Sequence, residues 1–200
     1  MMGIERPLQD LEDARAHLEE MRGAKTFPAF DRAWVSVLMD LSRAWHRTQS
    51  CVKPHPEVKG HQTMRDALAL IGDDGDQLLV YLRMARNAKE HGLVDITRHE
   101  PGGLAINPPK GERGLYIRHM EIKAGRMVLD APKGAEVVFR AGRVIPAAFE
   151  AFGKEYFPPL FHLGNPVDGF DAIALAEAGI AYYDTVIREI GQLLAAVEPA

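Results

Sequence analysis

The end of the chain carries the pattern that most constrains its fold. Between residues 168 and 198, apolar side chains recur at the three- and four-residue spacing of one helix face. This stripe comprises Ile173, Ala176, Ile180, Tyr183, Ile187, Ile190 and Leu194. A stripe of this length must be buried against other elements, and the first ninety residues offer the simplest partners.

The first ninety residues predict four helices by the same spacing. They run from Pro7 to Gly23, from Phe30 to Gln49, from Thr63 to Ile71 and from Asp76 to His91. Short joints between helices favour antiparallel neighbours. We therefore predict a mainly α fold, an up-and-down bundle of four to five helices whose core comprises residues 1–92 and 168–198.

The segment between these helical parts has a different composition. Residues 93–114 are rich in glycine and proline, and the β-forming stretches that follow are separated by three turn-like joints at 123–126, 133–136 and 140–143. We predict a loop with at most short strands over residues 93–114 and a small antiparallel β-meander over residues 115–145, which together form an insertion over residues 93–146 before the last helix. Residues 147–167 are predicted to form an aromatic and proline-rich loop, so that residues 1–200 make one domain.

Composition narrows the possible functions. The formal net charge of −4 provides no global positive field for nucleic acid, so any RNA contact needs a local patch. Basic residues of the β insertion form one such patch, or else the solvated face of a small sheet, which is the more frequent role. They are Lys110, Arg113, Arg118, Lys123, Arg126, Lys133, Arg140 and Arg143.

The sequence lacks the usual signatures of targeting and of metal or cofactor chemistry. The single cysteine, Cys51, cannot form an internal disulfide. No run of apolar residues is long enough to span a membrane. The eight histidines include no HxxxH or HExxH spacing, and no glycine-rich phosphate loop or nucleophile elbow is present. We therefore expect a cytoplasmic protein without a metal, a cofactor or a membrane partner.

The last turn of the fourth predicted helix concentrates the residues suited to chemistry. Arg86 can hold a phosphate and stabilise its developing negative charge, and Asn87 can orient a neighbouring group. His91 precedes Gly92 at the helix end, where exposed carbonyls favour an imidazolium and hence a general acid. These residue types match cleavage of RNA by its own 2'-hydroxyl group, although Arg86 and His91 do not share a face of an ideal helix.

The hexapeptide from Arg86 to His91 resembles the motif of the HEPN superfamily. That motif is an arginine, a polar residue, three further residues and a histidine, late in a helix of a small bundle. The resemblance implies a metal-independent endoribonuclease of toxin–antitoxin, phage-defence or RNA-processing type, which forms a homodimer with a composite site. Arg86, Asn87 and His91 would be its catalytic residues, and a toxin of this class would bind an antitoxin protein. The β insertion and the aromatic loop are not part of the common HEPN core.

Two alternatives accompany this prediction. A cluster of arginine, asparagine, glutamate and histidine at a helix end is often a capping and salt-bridge network, with Glu90 paired to Arg86 or Arg83. Other HEPN members are inactive and bind nucleotides or act as interaction and dimerisation modules.

Three further residues are predicted to bind substrate: Arg83, His46 and Arg47. Arg83 aligns with Asn87 and His91 at four-residue spacing, and His46 and Arg47 offer cations on the second helix.

Overall fold

The computed structural model describes residues 3–92, 94–112, 114–123, 126–140 and 142–197. Within this part the protein is mainly α, which confirms the predicted class. The helices are α1 (Glu5–Gly23), α2 (Phe27–Val52), α3 (Pro56–Lys59), α4 (Gln62–Ile71), α5 (Gln77–Glu90) and α6 (Ala172–Val197). Residues 1, 2, 93 and 198, at the edges of the predicted segments, lie outside the described residues, as do Arg113 and parts of the predicted joints at 123–126 and 140–143.

The chain divides into two compact units. The first comprises Met1–Arg98 and Val144–Ala200 and contains all the helices found in the described residues, and the second comprises His99–Arg143. In the described residues, no helix combines the length and the apolar character that crossing a membrane would require.

The core of the first unit is built from the predicted stripes. Leu175, Ile187 and Ile190 of α6 are fully buried, and α6 packs against α1 and α2. Gly179 allows the close approach of this helix, because an added Cβ would lie 2.5 Å from Leu82 Cδ1 of α5. The long apolar stripe of the last helix is thus buried against helices from the first ninety residues.

The strands of the described chain form two-stranded antiparallel pairs. Their bounds are β1 (Thr97–Glu100), β2 (Gly103–Asn107), β3 (His119–Lys123), β4 (Arg126–Asp130), β5 (Glu136–Arg140), β6 (Arg143–Pro146), β7 (Phe149–Ala151), β8 (Lys154–Tyr156), β9 (Phe161–His162) and β10 (Asn165–Pro166). A meander would pair each strand with the next along the chain. Of the first six strands only β3 and β4 pair in that way; β2 pairs with β5 and β1 with β6, so the pairings are nested.

Two hairpins occupy the segment where an aromatic and proline-rich loop was predicted. The turn between β7 and β8 contains Phe152 at φ +53° and Gly153 at φ +74°. The turn between β9 and β10 contains Leu163 at φ +48° and Gly164 at φ +79°. Successive residues with positive φ match the twist of an antiparallel pair, which explains why each tip closes tightly on a glycine.

The second of these hairpins is tied to the start of α5 through Asp76. This carboxylate accepts the backbone N–H groups of Leu78 and Leu79 as the helix N-cap, at 3.0 and 3.2 Å. It also bonds the His162 Nδ1 at 2.8 Å and accepts the Leu163 N–H at 2.7 Å. One buried carboxylate therefore fixes both the beginning of α5 and the position of a hairpin beside it.

Candidate functional site

The predicted catalytic residues occupy the last turn of α5, as the sequence indicated. His91 is the C-cap residue, and its backbone N–H donates to the Asn87 carbonyl at 3.2 Å. Gly92 follows at φ +70° and donates to the Lys89 carbonyl at 3.0 Å. Gly92 adopts the left-handed conformation and ends the helix, so the side chains of the last turn lie at the C-terminal end of α5.

The Arg86 guanidinium is held by its own helix. It forms an ion pair with Glu90 one turn later, and its Nη2 donates to Glu90 Oε1 at 3.2 Å. Its Nη1 donates to the Asn87 side-chain oxygen at 3.1 Å, whereas its buried Nε has no hydrogen-bond partner within the described chain. The Arg86 side chain is 21% exposed and that of Glu90 is 42% exposed. An ion pair between residues four apart on one helix, with its carboxylate exposed, is weak, on the order of 1 kcal/mol or less, so a phosphate can compete with Glu90 for Arg86.

His91 is exposed beyond the end of α5. The edge of its ring meets the Phe152 ring, with centroids 5.7 Å apart and planes at 89°. Phe152 is itself 69% exposed. Since neither ring nitrogen of His91 has a hydrogen-bond partner in the described part of the chain, both are available to exchange protons with a ligand.

A cavity of about 310 Å³ lies between α2, α4, α5 and α6, beside the last turn of α5. It brings together three of the predicted site residues: Asn87, Arg83 and His46. The remaining lining residues are Leu38, Leu41, Ser42, Trp45, Gln49, Leu68, Ile71, Gly72, Leu82 and Tyr183. Arg86 and His91 do not line the cavity, but Asn87 connects the two regions because it also accepts the hydrogen bond from Arg86.

The charges at the cavity are nearly balanced. Arg83 Nη2 donates to Asp73 Oδ1 at 2.5 Å, and this hydrogen bond and charge lower the pKa of the exposed Asp73 carboxyl. Asp73 is 84% exposed, so the pair faces solvent at the edge of the site. His46 is exposed and lies on the same cavity. An anionic ligand would therefore meet Arg83 and His46 with only a weakly held competing carboxylate.

Arg47 lies in a different environment, although its neighbour His46 lines the cavity. Its Nη1 donates to Asp10 Oδ1 of α1 at 2.7 Å, and Asp10 is 1% exposed. Burial raises the pKa of Asp10, and the charges of Arg47 and Arg43 oppose this effect. Arg47 was predicted to bind substrate. In the structure it has a structural role, because it compensates the charge of a buried carboxylate between α1 and α2.

Two observations concern other chemistry in this protein. Within the described ranges, no group of three or more histidine, cysteine, aspartate and glutamate side chains is arranged to hold a metal ion. Cys51 is buried, and burial raises the pKa of its thiol, which makes it a poor nucleophile.

Several residues at the site were not predicted from the sequence. Trp45 and Tyr183 belong to core stripes, yet they also form part of the cavity wall, with ring centroids 6.2 Å apart. Ser42 and Gln49 lie at helical spacing from Trp45. Their position beside an apolar stripe was the sequence signal that could have indicated their place in the cavity wall. Nothing local in the sequence indicates the Phe152 contact with His91, because the two residues are sixty-one positions apart.

No family model, no curated protein and no solved structure matches this chain.

Proposed function

We propose that this protein is a HEPN-like, metal-independent endoribonuclease whose active site lies at the C-terminal end of α5. The observation that carries the proposal is the continuity of the motif with the cavity. Asn87 contacts Arg86 of the motif and lines the cavity with Arg83 and His46. A cation for phosphate, an exposed imidazole and a concave surface therefore adjoin one helix end.

The proposed reaction uses the 2'-hydroxyl of RNA as the nucleophile. Its oxygen attacks the adjacent phosphorus while its proton passes to solvent, and the bond from phosphorus to the 5'-oxygen breaks. His91 donates a proton to the departing 5'-oxygen, which leaves a 2',3'-cyclic phosphate and a 5'-hydroxyl end. Arg86 stabilises the negative charge of the phosphorane, and Asn87 holds the guanidinium in place.

The proposal extends to fold details and partners. It includes an up-and-down arrangement of the helices, a homodimer that joins two motifs in one composite site, and action in the cytoplasm. RNA is the proposed substrate and an antitoxin protein the proposed regulatory partner. Arg83 and His46 would bind RNA phosphates beside the motif.

A second candidate function is a non-catalytic nucleotide-binding or interaction module. The ion pair between Arg86 and Glu90 favours it, because it engages the terminal nitrogens of the guanidinium without any ligand. In this alternative the cavity binds a nucleotide and the last turn of α5 is a capping network.

Cleavage of total RNA in EDTA distinguishes the two functions. We expect the wild-type protein to cleave RNA, and Arg86→Ala and His91→Ala each to lose at least 100-fold in rate, the usual scale for removing a general acid or a charge-stabilising donor. Arg32→Ala is the matched control, because Arg32 is exposed on α2 and has no ion-pair partner within the described residues. No cleavage, or cleavage indifferent to both substitutions, would reject the ribonuclease in favour of the binding module.

A further inference from the structure

The cavity beside α5 contains polar side chains that the protein itself does not satisfy. Ser42, Gln49 and Tyr183 line it, and no hydrogen bond joins their side chains to any other described residue. Tyr183 is only 4% exposed, and burial raises the pKa of its hydroxyl. Ser42 and Gln49 are half-buried, and the Nε of Arg83, which also lines the cavity, is buried without a hydrogen-bond partner in the described chain. Several groups that can form hydrogen bonds therefore converge on one cavity, which indicates a polar ligand.

The walls of the same cavity are apolar and partly aromatic. Leu38, Leu41 and Leu82 are each less than 5% exposed, and the Trp45 and Tyr183 rings meet at 55°. A ligand that fits must have an apolar, flat body as well as hydrogen-bonding edges. A hydrocarbon chain would leave the polar side chains without hydrogen-bond partners, whereas an inorganic anion would leave the apolar wall exposed to water.

We propose that this cavity binds a single nucleobase, unstacked from its neighbours in RNA, and so selects the nucleotide beside the cleaved bond. The selection of a cleavage position rests on the proposed ribonuclease function, whereas binding of a free nucleotide does not. Single-stranded RNA is commonly read in this way, by bases that leave the stack, lie against aromatic side chains and form hydrogen bonds along their edges.

Size and charge agree with a nucleotide. Ligand cavities in proteins range from about 300 to 1,000 Å³, and a volume of about 310 Å³ suits a ligand at the small end of this range. Arg83 provides the positive charge of the described lining and, together with the imidazole of His46, can receive the phosphate that the base carries. Because the Asn87 side chain is hydrogen bonded to Arg86, a phosphate bound beside Asn87 would also lie next to Arg86.

Tryptophan fluorescence provides a direct test of binding. The chain has two tryptophans, of which Trp45 lines the cavity and Trp34 is fully buried elsewhere. The full-length protein is titrated with AMP, GMP, CMP and UMP, and with ribose 5-phosphate as the probe without a base. We expect saturable quenching by at least one of the four nucleotides, at least tenfold weaker binding of ribose 5-phosphate, and loss of the signal in Trp45→Phe.

Two further variants locate the site. Ser42→Phe fills the cavity from α2 and should weaken nucleotide binding at least tenfold, whereas the matched Ser50→Phe on the exposed side of the same helix should leave it unchanged. If Ser42→Phe does not fold by circular dichroism, Tyr183→Phe replaces it, with an expected loss of about threefold to tenfold from one hydrogen bond. Equal binding of ribose 5-phosphate and nucleotides, or full binding by the cavity variant, overturns the inference.

Cleavage patterns separate this inference from the proposed function. On RNA of mixed sequence, we expect wild-type cleavage to prefer one base and the variant that fills the cavity to lose this preference. Cleavage without base preference and without nucleotide binding overturns the base pocket and leaves the ribonuclease proposal standing. Nucleotide binding without any cleavage supports the pocket and rejects the ribonuclease.

Discussion

At the residue scale, Glu90 controls the availability of Arg86. The carboxylate and the Asn87 side chain together engage both terminal nitrogens of the guanidinium, at 3.2 Å for Glu90 Oε1 and 3.1 Å for Asn87 Oδ1. In the proposed ribonuclease, an RNA phosphate would have to displace the carboxylate to form the bidentate contact that stabilises a phosphorane. Glu90 would then compete with the proposed substrate for Arg86.

Glu90→Gln should bind RNA more tightly than the wild-type protein. Removing an ion pair between residues four apart on one helix frees up to about 1 kcal/mol, so we expect an affinity gain of roughly twofold to fivefold at low ionic strength. Fluorescence anisotropy with a labelled 2'-O-methyl RNA measures this affinity without cleavage. Glu20→Gln makes the same change of charge at an exposed position of α1. An equal gain in both variants would indicate a general charge effect and contradict a phosphate contact at Arg86.

At the scale of elements, Asp76 couples the start of α5 to the β9–β10 hairpin. Burial would raise the pKa of Asp76, but the hydrogen bonds from His162, Leu163 and Leu79 lower it below the ordinary value of 3.8. A carboxylate with a depressed pKa stabilises the folded state at higher pH, and this contribution is lost as the pH falls through the folded-state pKa. The contribution of Asp76 is therefore fully present at neutral pH, begins to decline near pH 3.8 and is lost once the pH has fallen through the lower folded-state pKa.

Asp76→Asn should reduce the free energy of unfolding by about 1 kcal/mol at pH 7, the usual cost of weakening a helix N-cap. The difference from the wild-type protein should persist at pH 5 and shrink as the pH is lowered below 3.8, because the carboxylate becomes protonated first in the unfolded and then in the folded state. Urea denaturation at these pH values, followed by circular dichroism, measures the effect. Asp74→Asn is the control, because Asp74 is exposed two residues earlier; an Asp76 variant that matched it at every pH would contradict the coupling.

The elements differ in how far the sequence could predict them. The long helices follow from their apolar spacing, and the end of α5 follows from Gly92, which adopts φ +70°. Strand partners could not be predicted, because the nested pairing of β2 with β5 depends on residues about thirty positions apart. The hairpins within 147–167 have strands of only two or three residues, too short to show alternation; the Phe152-Gly153 and Leu163-Gly164 dipeptides were their signal.

The candidate site was predictable in part for the same reason. A helical spacing places Arg83 and Asn87 on one face of α5, and both line the cavity. Spacing cannot say which other helix faces them, so His46 and Arg47 were indistinguishable until the fold placed the first at the cavity and the second against Asp10. The alternative of a salt bridge between Arg86 and Glu90 is present in the structure, whereas the catalytic role of the motif stays a prediction.

At the scale of the whole molecule, charge is unevenly distributed along the chain. Residues 99–143 contain eight lysines and arginines against five aspartates and glutamates, whereas the chain as a whole has a formal net charge of −4. The chain leaves the first unit in β1 and returns in β6, and these two strands pair with each other. Just beyond them, the Ala147 N–H donates to the Ile96 carbonyl at 3.0 Å.

Because β1 and β6 are paired neighbours and His99 lies opposite Val144, a two-residue turn between these two residues can replace residues 100–143. An Asn-Gly sequence suits such a turn, since it adopts the positive φ angles of a tight hairpin. We expect the shortened protein to keep its helical circular dichroism and its cooperative thermal unfolding, because the buried core of the first unit draws on none of those removed residues that the structure describes. Nucleotide binding at the cavity, whose lining residues all remain, should also be unchanged.

The same variant should bind RNA more weakly, roughly tenfold at about 50 mM salt, with a shallower dependence of affinity on salt, because fewer cations meet the phosphates. A full-length protein with Lys110→Ala and Lys133→Ala, both exposed, is the control that removes charge without removing the strands. A smaller loss of the same kind in this control would attribute the effect to charge. Unfolding of the shortened protein would contradict the independence of the first unit, and unchanged RNA affinity would assign the basic residues to the solvated face of a sheet.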